Sequence, residues 1–463
     1  MNLDKKYIAS ILVDAEWVGA PFEGELPQGV VDSRLVTPGV FFAALPGKVT
    51  DGHQFLADAC MKGAVLLVVS RTHVEQIRDI LRQYPRVAAL VVSDVLRALV
   101  TLARAWRAQC AIPVIGITGS VGKTSTKELI STMLRFADIP HIASYGNQNT
   151  LLGAALTMLR VRAWHKVAVF EMGISKRGEM HKIAEMVRPT IGVITYIGHS
   201  HMEGIGGLED IAAEKRSLFS FLNSDEIGII LGDQPLLSNV SYAHPVVRFG
   251  TKMINQVQAR KVKEAGDRIT FILKIYGDRY PLVLSINNKV HVYHALAAAA
   301  VGEVLKIPRA CIISAIQKPI EVRGRNQEIP LREVQGTLIH DAYNAIPESM
   351  KAALLAFEQR TNASKKIAVL GDMLELGVTG TFWHRQLGRM VRKVPSLDHV
   401  ILVGTHVQAT THTLPRGLSY EIVPTWQEAV GCVRNELVDG AVVLVKGSRG
   451  VALDRLVAAL VGE

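Results

Sequence analysis

A glycine-rich segment, TGSVGKTSTKE at residues 118–128, constrains the fold of this chain more than any other feature. The apolar run PVIGI (113–117) precedes it and predicts a short buried strand, whereas LISTML (129–134) follows with the apolar spacing of a helix. This order of elements is typical of a phosphate-binding loop: a strand, then a glycine loop that ends in Gly-Lys-Thr, then a helix. In such a loop, backbone N–H groups and the helix N-terminus surround the phosphates.

The loop therefore supplies candidate ligands for a nucleoside triphosphate. Lys123 provides a positive charge, and Thr124 is expected to ligate the Mg²⁺ that accompanies the nucleotide. The predicted nucleotide-binding residues of the loop are Gly119, Ser120, Val121, Gly122, Lys123, Thr124 and Ser125. Ile117 replaces the first glycine of the longer G-x-x-x-x-G-K-[ST] pattern, but the shorter T-G-x-x-G-K-[ST] pattern matches throughout. A glycine turn with an incidental lysine is the alternative interpretation.

Composition narrows the class of protein. A length of 463 residues predicts two to four domains, and 49% hydrophobic with 20% charged residues is typical of a globular chain. No apolar run approaches the roughly 20 residues of a membrane helix, and the N-terminus does not resemble a signal peptide, so we expect no membrane insertion and a cytoplasmic location. The four cysteines are scattered without a C-x-x-C pattern, which indicates reduced thiols.

The formal net charge of +10 raises the question of a nucleic-acid partner. Lysines and arginines are spread along the chain without a dense basic run, so no recognition module is predicted and we expect no nucleic acid. A positive field suits small polyanionic substrates equally well.

The pattern of strands and helices predicts an α/β protein of three domains. A small N-terminal α/β domain covers residues 1–110 and ends with a helix at 95–108. A central domain with a mostly parallel sheet covers 111–322, with strands at 167–170, 191–195 and 227–231 and an alanine-rich helix at 295–305. A Rossmann-like, doubly wound C-terminal domain covers 323–463, with strands at 366–370, 399–403 and 441–445.

Motifs in all three regions resemble the Mur ligases, the ATP-dependent enzymes that add amino acids to the UDP-muramyl peptide of bacterial cell walls. The motifs are DSR (32–34), PGVFFA (38–43), the segment 47–55 ending in DGHQF, the phosphate loop, GNQN (146–149), EMG (171–173), HME (201–203), AEK (213–215), DAYNA (341–345), GDMLELG (371–377) and VKGSR (445–449). The GDMLELG run is the most specific for the branch that joins D-alanyl-D-alanine to UDP-N-acetylmuramoyl-tripeptide. The resemblance thus implies that these two compounds are the substrates, that ATP and two Mg²⁺ ions are the cofactors, and that the protein is a monomer.

The chemistry explains why such residue types are needed. A carboxylate forms an amide only after activation, and transfer of the γ-phosphoryl group of ATP makes an acyl phosphate that an amine attacks. Two polyanions meet in this reaction, so cations must offset their charge. The resemblance implies that Glu171, His201 and Lys215 hold a second Mg²⁺ beside Thr124, with Lys215 carbamylated by CO₂. It also implies that Lys123, Lys215 and His201 are the catalytic residues.

Each assignment has an alternative. Glu171 would otherwise be a solvated carboxylate at a strand end, and Lys215 a surface lysine paired with acidic neighbours. His199, two residues before His201, is a rival metal ligand.

The resemblance extends to further binding residues. Asn149, His291, Arg325 and Asp341 are expected at the nucleotide, with Arg325 at the hinge before the C-terminal domain. The residues expected to bind substrate are Ser33, Arg34, Asn344, Lys446, Ser448 and Arg449.

Several positions depart from the family pattern. Thr150 and Tyr196 replace asparagines, His199 replaces a proline, and His340 replaces an aspartate. In the pattern Gly-x-His-Asn-x-x-Asn, His291 and His294 stand at the two asparagine positions. Three alternatives follow: a non-catalytic relative that binds nucleotide or UDP-muramyl peptide as a sensor or scaffold, a folylpolyglutamate synthase-like ligase, and a nucleic-acid-dependent ATPase. The retained phosphate loop, Glu171 and Lys215 favour an active ligase.

Overall fold

The computed structural model describes residues 2–47, 50–146, 148–265, 268–286 and 288–462. Lys48, Val49 and Asn147, which belong to two of the motifs above, lie outside these ranges. The described residues form three sheets, one in each third of the chain, with helices against them. The predicted α/β class and its mostly parallel sheets are confirmed. Within the described ranges, no helix has the length and apolar character required to cross a bilayer.

The N-terminal sheet has five strands in the order β1-β5-β4-β3-β2, antiparallel only between β1 and β5. Its elements are α1 (Lys5–Ile11), β1 (Glu16–Gly19), β2 (Gly29–Val30), β3 (Phe41–Ala43), α2 (Leu56–Met61), β4 (Leu66–Ser70), α3 (Val74–Gln83), β5 (Ala88–Val92) and α4 (Val95–Ala108), with 3-10 turns at Ser33–Leu35, Gly52–Phe55 and Arg71–His73. Helix α4 has the predicted bounds, and it begins where the Asp94 carboxylate accepts the N–H of Arg97 at 2.8 Å.

The central sheet has nine strands in the order β14-β13-β12-β11-β10-β9-β6-β8-β7. Its elements are β6 (Val114–Thr118), α5 (Lys123–Phe136), β7 (His141–Ala143), α6 (Leu151–Met158), β8 (Val167–Glu171), α7 (Glu179–Val187), β9 (Ile191–Ile194), α8 (Met202–Ile205), α9 (Leu208–Arg216), a 3-10 turn at Ser217–Phe221, β10 (Ile227–Leu231), α10 (Pro235–Ser238), β11 (Val246–Gly250), β12 (Val257–Ala265), β13 (Arg268–Ile275), β14 (Asp278–Leu284), α11 (Val290–Val304) and α12 (Arg309–Gln317).

The far edge of this sheet was not predicted. Strands β12, β13 and β14 are antiparallel, and β12 and β14 have many exposed polar side chains that weaken the apolar signal. Helix α11 also begins five residues before the predicted start, because its first turn carries polar His291 and Tyr293 rather than alanines.

The C-terminal sheet has six strands in the order β15-β16-β20-β17-β18-β19, antiparallel only between β15 and β16. Its elements are β15 (Gln327–Pro330), β16 (Thr337–His340), α13 (Pro347–Glu358), β17 (Lys365–Gly371), α14 (Gly380–Val391), β18 (His399–Val403), β19 (Ser419–Val423), α15 (Trp426–Glu436), β20 (Ala441–Lys446) and α16 (Leu453–Val461), with 3-10 segments at Gly377–Thr379, His406–Thr413 and Arg449–Val451. The three strands predicted here are β17, β18 and β20.

Side-chain contacts join the first two thirds of the chain. The Trp106 indole N–H, on α4, donates to the carbonyl of Val161 at 3.1 Å. On the same helix, the Arg107 guanidinium donates to the carbonyl of Val187 at 2.8 Å. Arg162 pairs with Glu25 at 3.0 Å. The N-terminal sheet is thereby fixed to the central one.

Asp372 anchors a loop of the C-terminal sheet. Its buried carboxylate, directly after β17, accepts the N–H groups of Thr405 at 3.1 Å and Val407 at 2.6 Å. We expect Asp372→Ala to lower the free energy of unfolding by about 3 kcal/mol, because the N–H groups of Thr405 and the buried Val407 lose a charged acceptor. Urea titration of the intact chain measures this, with exposed Asp225→Ala as the control, expected within about 0.5 kcal/mol of the unmodified protein. Equal effects of the two variants would contradict the assignment.

Candidate functional site

The site lies where three adjacent parallel strands end. Strands β8, β6 and β9 are neighbours in that order, and their register aligns Glu171 with Ile117 and Thr118 with Ile194. The loops that leave these carboxyl ends are therefore brought together, as expected for ligand sites of parallel sheets.

Two glycines of the phosphate loop have left-handed backbone conformations, with φ of +151° at Gly119 and +89° at Gly122. A Cβ atom at Gly119 would collide with the hydroxyl of Thr195, and one at Gly122 would lie 2.5 Å from Nε2 of His294. Glycine is required at both positions for conformation and for space.

The loop is also fastened to the segment that follows β9. The N–H of Ser120 donates to the carbonyl of Tyr196 at 2.7 Å, and its hydroxyl donates to the carbonyl of Gly198 at 2.8 Å. The Thr195 hydroxyl donates to the carbonyl of Val121 at 2.6 Å. These bonds hold the loop in one shape, so its remaining N–H groups are organised before an anion binds.

Lys123 begins helix α5 directly after the loop, and its ammonium donates to the carbonyl of Gly119 at 2.7 Å. Burial lowers its pKa to about 8, an effect that the nearby Glu171 carboxylate opposes and Arg325 reinforces. A phosphate would restore the charge that burial disfavours.

Glu171 is buried at the end of β8 and is not the solvated carboxylate of the alternative interpretation. Its Oε1 accepts a hydrogen bond from the Asn149 amide at 3.0 Å. Its Oε2 is buried with no hydrogen-bond partner among the described residues. An uncompensated carboxylate oxygen in the interior is costly, so a cation fits this position.

Lys215 is buried on α9, with 1% of its surface exposed, so the alternative of a surface lysine is wrong. The carboxylate of the adjacent Glu214 accepts the N–H groups of Gly178 and Met180, each at 3.0 Å. Burial and the proximity of Lys123 hold the pKa of Lys215 well below its usual value. The neutral form of its amine is therefore favoured relative to that of an exposed lysine.

The two histidines after β9 have different surroundings. His201 lines the main cavity of the site, and its Nδ1 pairs with Oε2 of Glu375. His199 Nδ1 instead lies 2.5 Å from Oε1 of Glu348, and its ring packs 4.4 Å from that of Trp383. His199 is absent from the cavity lining among the described residues, so the geometry favours His201 as the metal ligand.

The C-terminal domain contributes charged groups to the same cavity. The Arg325 guanidinium lies 4.3 Å from the ring centre of Tyr343, and the Arg449 guanidinium lies 5.8 Å from it. The Lys446 ammonium, buried at the end of β20, pairs with Oδ2 of Asp341 at 2.7 Å. This pair anchors the segment that carries Asn344, whose carbonyl accepts a further bond from Lys446 at 3.2 Å.

The cavity has a volume of about 570 Å³. The predicted site residues that line it are Ser120, Val121, Gly122, Lys123, Ser125, Asn149, His201, His291, Arg325, Asp341, Asn344 and Lys446. The predicted site residues outside its lining are Gly119, Thr124, Glu171, Lys215, Ser33, Arg34, Ser448 and Arg449.

Five of the residues outside the lining fall into two groups. Thr124, Glu171 and Lys215 are buried. Ser33 and Arg34 lie in the N-terminal domain, where Arg34 is 85% exposed and pairs with Asp32.

Ser448 has its hydrogen bonds within the C-terminal domain. Its hydroxyl accepts the N–H of Leu374 at 2.9 Å and donates to the carbonyl of Ala345 at 3.4 Å. These bonds connect the loop after β17 to the segment that contains Asn344.

Glu348 and Glu375 were not predicted as site residues. Each meets a histidine of the central domain only because the C-terminal domain packs there, and no spacing in the sequence signals that contact. Glu375 lies within the GDMLELG motif, but the motif alone does not indicate its partner.

His291 and His294, which stand at the asparagine positions of the family pattern, pack against each other beside the phosphate loop. Their ring centres are 5.1 Å apart. Burial lowers the pKa of His291 to about 4, and burial together with His291 and Arg325 holds the pKa of His294 well below its usual value. Both rings are therefore neutral at pH 7.

Protonation of these rings opposes folding. In the unfolded chain a histidine binds a proton below about pH 6.5, whereas in the folded protein His291 binds one only below about pH 4. The free energy of unfolding therefore decreases as the pH falls from about 6.5 to about 4.

When the pH is lowered from 7.5 to 5.0, we expect the free energy of unfolding of the unmodified protein to decrease by about 2 kcal/mol more than that of His291→Asn, which lacks the titrating ring. Urea titrations at both pH values measure the difference, with exposed His412→Asn as the control. An unchanged pH dependence in His291→Asn would contradict the prediction.

Comparison with known families agrees with this geometry in all three domains. The model described as "Mur ligase family, catalytic domain" matches residues 30–107, "Mur ligase middle domain" matches 117–302, and "Mur ligase, glutamate ligase domain" matches 324–449.

Individual relatives cover nearly the whole chain. A Bacillus subtilis protein named UDP-N-acetylmuramoyl-tripeptide--D-alanyl-D-alanine ligase is 31% identical over 95% of this chain and 94% of its own length. The Escherichia coli protein of the same name is 30% identical over 93% and 92%. The crystal structure of MurF from Acinetobacter baumannii superposes with a TM-score of 0.83 at 26% identity, covering 100% of this chain and 99% of that one. The chain therefore belongs to the Mur ligase family.

Proposed function

We propose that this protein is an ATP-dependent ligase that joins D-alanyl-D-alanine to UDP-N-acetylmuramoyl-tripeptide in peptidoglycan precursor synthesis. The observation that carries the proposal is the grouping of three features around Lys123 of the phosphate loop, which lines the cavity. Glu171, a buried carboxylate with an unpartnered oxygen, and Lys215, a buried lysine of lowered pKa, both lie close enough to interact with the charge of Lys123. The choice of substrates is supported by the names of relatives that match the chain almost end to end.

The reaction has two steps. A carboxylate oxygen of the tripeptide attacks the γ-phosphorus of ATP, the bond to the β-phosphate oxygen breaks, and ADP leaves. The amine of the dipeptide then attacks the acyl carbon, phosphate leaves with the C–O electron pair, and the nitrogen loses a proton. Lys123 and the loop N–H groups, with Asn149, His291, Arg325 and Asp341, hold the nucleotide in this proposal.

Two Mg²⁺ ions fit the residues present. Thr124 would hold the ion that accompanies the nucleotide, and Glu171, His201 and Lys215 the second. When bound, such ions offset the negative charge of the phosphates and the carboxylate. The unpartnered Oε2 of Glu171 is the observation in favour of a cation here.

Lys215 is proposed to serve as a carbamate. The neutral amine attacks CO₂, a C–N bond forms and a proton leaves, which converts a buried base into an anionic oxygen ligand. Burial and the proximity of Lys123 favour the neutral amine that this addition requires. The carbamate would in turn offset the charge of Lys123.

The two ends of the substrate are proposed to bind in different domains. Ser33 and Arg34 are assigned to the uridine nucleotide, and Asn344, Lys446, Ser448 and Arg449 to the peptide end. Because Lys446 and Ser448 are hydrogen-bonded within the C-terminal domain, we infer that they chiefly shape this end of the site. Among the residues that the structure describes, the Arg449 guanidinium contacts the ring of Tyr343 and forms no ion pair, so it is available for a carboxylate. We propose a monomer that works in the cytoplasm, where ATP and the UDP-linked precursor are made.

The alternative of a non-catalytic sensor or scaffold has no supporting observation in the site. Tyr196, one of the divergent residues, contributes its backbone carbonyl to the loop, so its side-chain change leaves that contact intact. The half-buried His291 and the buried His294 are both neutral at pH 7, so they add no charge beside the loop.

The decisive experiment measures phosphate release from ATP with Mg²⁺ and UDP-N-acetylmuramoyl-tripeptide, with and without D-alanyl-D-alanine. We expect release that depends on the dipeptide, with a matching mass increase of the UDP product. Lys123→Ala should reduce the rate at least 100-fold, because the transferred phosphoryl group loses its cationic partner. Binding of the UDP-peptide without release would favour the scaffold instead.

Lys215 has its own test. We expect Lys215→Ala to be inactive in the same assay and to regain part of its rate when acetate or formate is added, because a small carboxylate can replace the carbamate oxygens. Lys215→Arg, which keeps a cation but forms no carbamate, is the matched control and should show no rescue. A fully active Lys215→Ala would remove this lysine from the mechanism.

A further inference from the structure

Two strained loops from different domains meet at the edge of the cavity. His201 lies in the loop after β9 with φ of +57°, and Glu375 lies in the loop after β17 with φ of +63°. Left-handed backbone at a non-glycine residue costs about 1 kcal/mol or more and persists only where surrounding contacts impose it. Here the strained residues of the two loops contact each other directly.

Three contacts align the loops. Nδ1 of His201 pairs with Oε2 of Glu375, and the backbone N–H of Glu203 donates to the carbonyl of Glu375 at 3.1 Å. The Thr379 hydroxyl lies 3.7 Å from the sulfur of Met202. The segment that follows His201 is therefore attached to the loop that carries Glu375 at two further points.

The pairing determines what the imidazole presents to the cavity. Nδ1 of His201 is in close contact with the Glu375 carboxylate, although the two groups are not aligned as a hydrogen bond among the described residues. A carboxylate this close favours a proton on Nδ1, which leaves the lone pair on Nε2. Metal-binding histidines commonly donate their second ring N–H to a carboxylate, which orients the ring and raises the basicity of the ligating nitrogen. Since His201 lines the cavity, Nε2 is the nitrogen left for a cation there.

We propose that Glu375 is a positioning residue for the second metal ion, so that docking of the C-terminal domain supplies the carboxylate that prepares His201 to bind the cation. This inference rests on the proposed metal role of His201. In this proposal, docking of the C-terminal domain and tight binding of the second metal ion are coupled, because the carboxylate that contacts His201 comes from that domain.

A second pair across the same interface provides a matched comparison. Glu348, on α13, binds Nδ1 of His199 at 2.5 Å and also accepts the His199 backbone N–H at 3.3 Å. It joins the same two domains, but its histidine is outside the cavity lining in the described part of the chain. When the Glu348 pair is lost, the Glu375 contacts still join the two domains, so the metal site should be unchanged. Loss of the Glu375 pair removes the carboxylate from His201 and should change the metal site.

The experiment uses Mn²⁺ as the probe, added to the full-length protein with a non-hydrolysable ATP analogue and bicarbonate. Electron paramagnetic resonance counts the bound ions, and electron spin-echo modulation detects the ¹⁴N coupling of a histidine ligand. The variants are Glu375→Gln, Glu375→Ala and the control Glu348→Gln. Thermal unfolding checks that each variant is folded, and the near-isosteric glutamine keeps the test usable if the alanine variant is unstable.

We expect Glu375→Gln and Glu375→Ala to weaken binding of the second Mn²⁺ by about 10-fold or more and to reduce the ¹⁴N coupling. Glu348→Gln should retain both signals. Unchanged Mn²⁺ affinity and coupling in the Glu375 variants, or equal losses in Glu348→Gln, would overturn the proposal.

A further variant separates this inference from the proposed function. Glu171→Gln should abolish the second Mn²⁺ site if Glu171 and His201 share it. If the unmodified protein shows no histidine coupling and Glu171→Gln changes nothing, the metal site itself is refuted, and the role of Glu375 with it. If both signals are present and only the Glu375 variants fail to alter them, the positioning role alone is refuted.

Discussion

The site depends on two lysine side chains, the half-buried Lys123 and the fully buried Lys215, which lie close enough for the charge of Lys123 to lower the pKa of Lys215. Buried cations without compensation cost several kcal/mol, and Glu171 is the carboxylate that opposes this effect at Lys123. The interior is consequently short of negative charge. Phosphates at the loop and a carbamate on Lys215 would each supply it, so nucleotide binding and lysine modification relieve the same electrostatic imbalance.

The C-terminal domain completes the site with groups of both signs. Arg325, stacked on Tyr343, adds positive charge at the cavity, whereas Glu348 and Glu375 each place a carboxylate on a histidine of the central domain. The central sheet alone holds the loop and the buried cations. The carboxylate that contacts His201 comes from the neighbouring domain, so in the proposed mechanism the metal site would be completed only when that domain is docked.

Much of the fold was predictable because its signals are local. The strands around the phosphate loop are continuous apolar runs, and α4 has a capping aspartate and an amphipathic pattern, so both have nearly the predicted bounds. Strands β12 and β14 were missed because half-exposed edge strands carry polar residues that obscure the period of two. In the site, the glycines, Lys123 and Glu171 were identified from motifs, but the surface alternative for Lys215 was eliminated only by its burial.

The sequence by itself determined the phosphate loop, since the positive φ angles of Gly119 and Gly122 follow from residues adjacent in the chain. It also determined the order of three α/β domains and the family to which they belong. Only the tertiary structure decided which of the two histidines lines the cavity and which carboxylate contacts each histidine. Those contacts join residues 149 and 174 positions apart, His199 to Glu348 and His201 to Glu375. The sequence specifies which chemical groups are present at each position, whereas the electrostatic environment of each group depends on which distant elements pack around it.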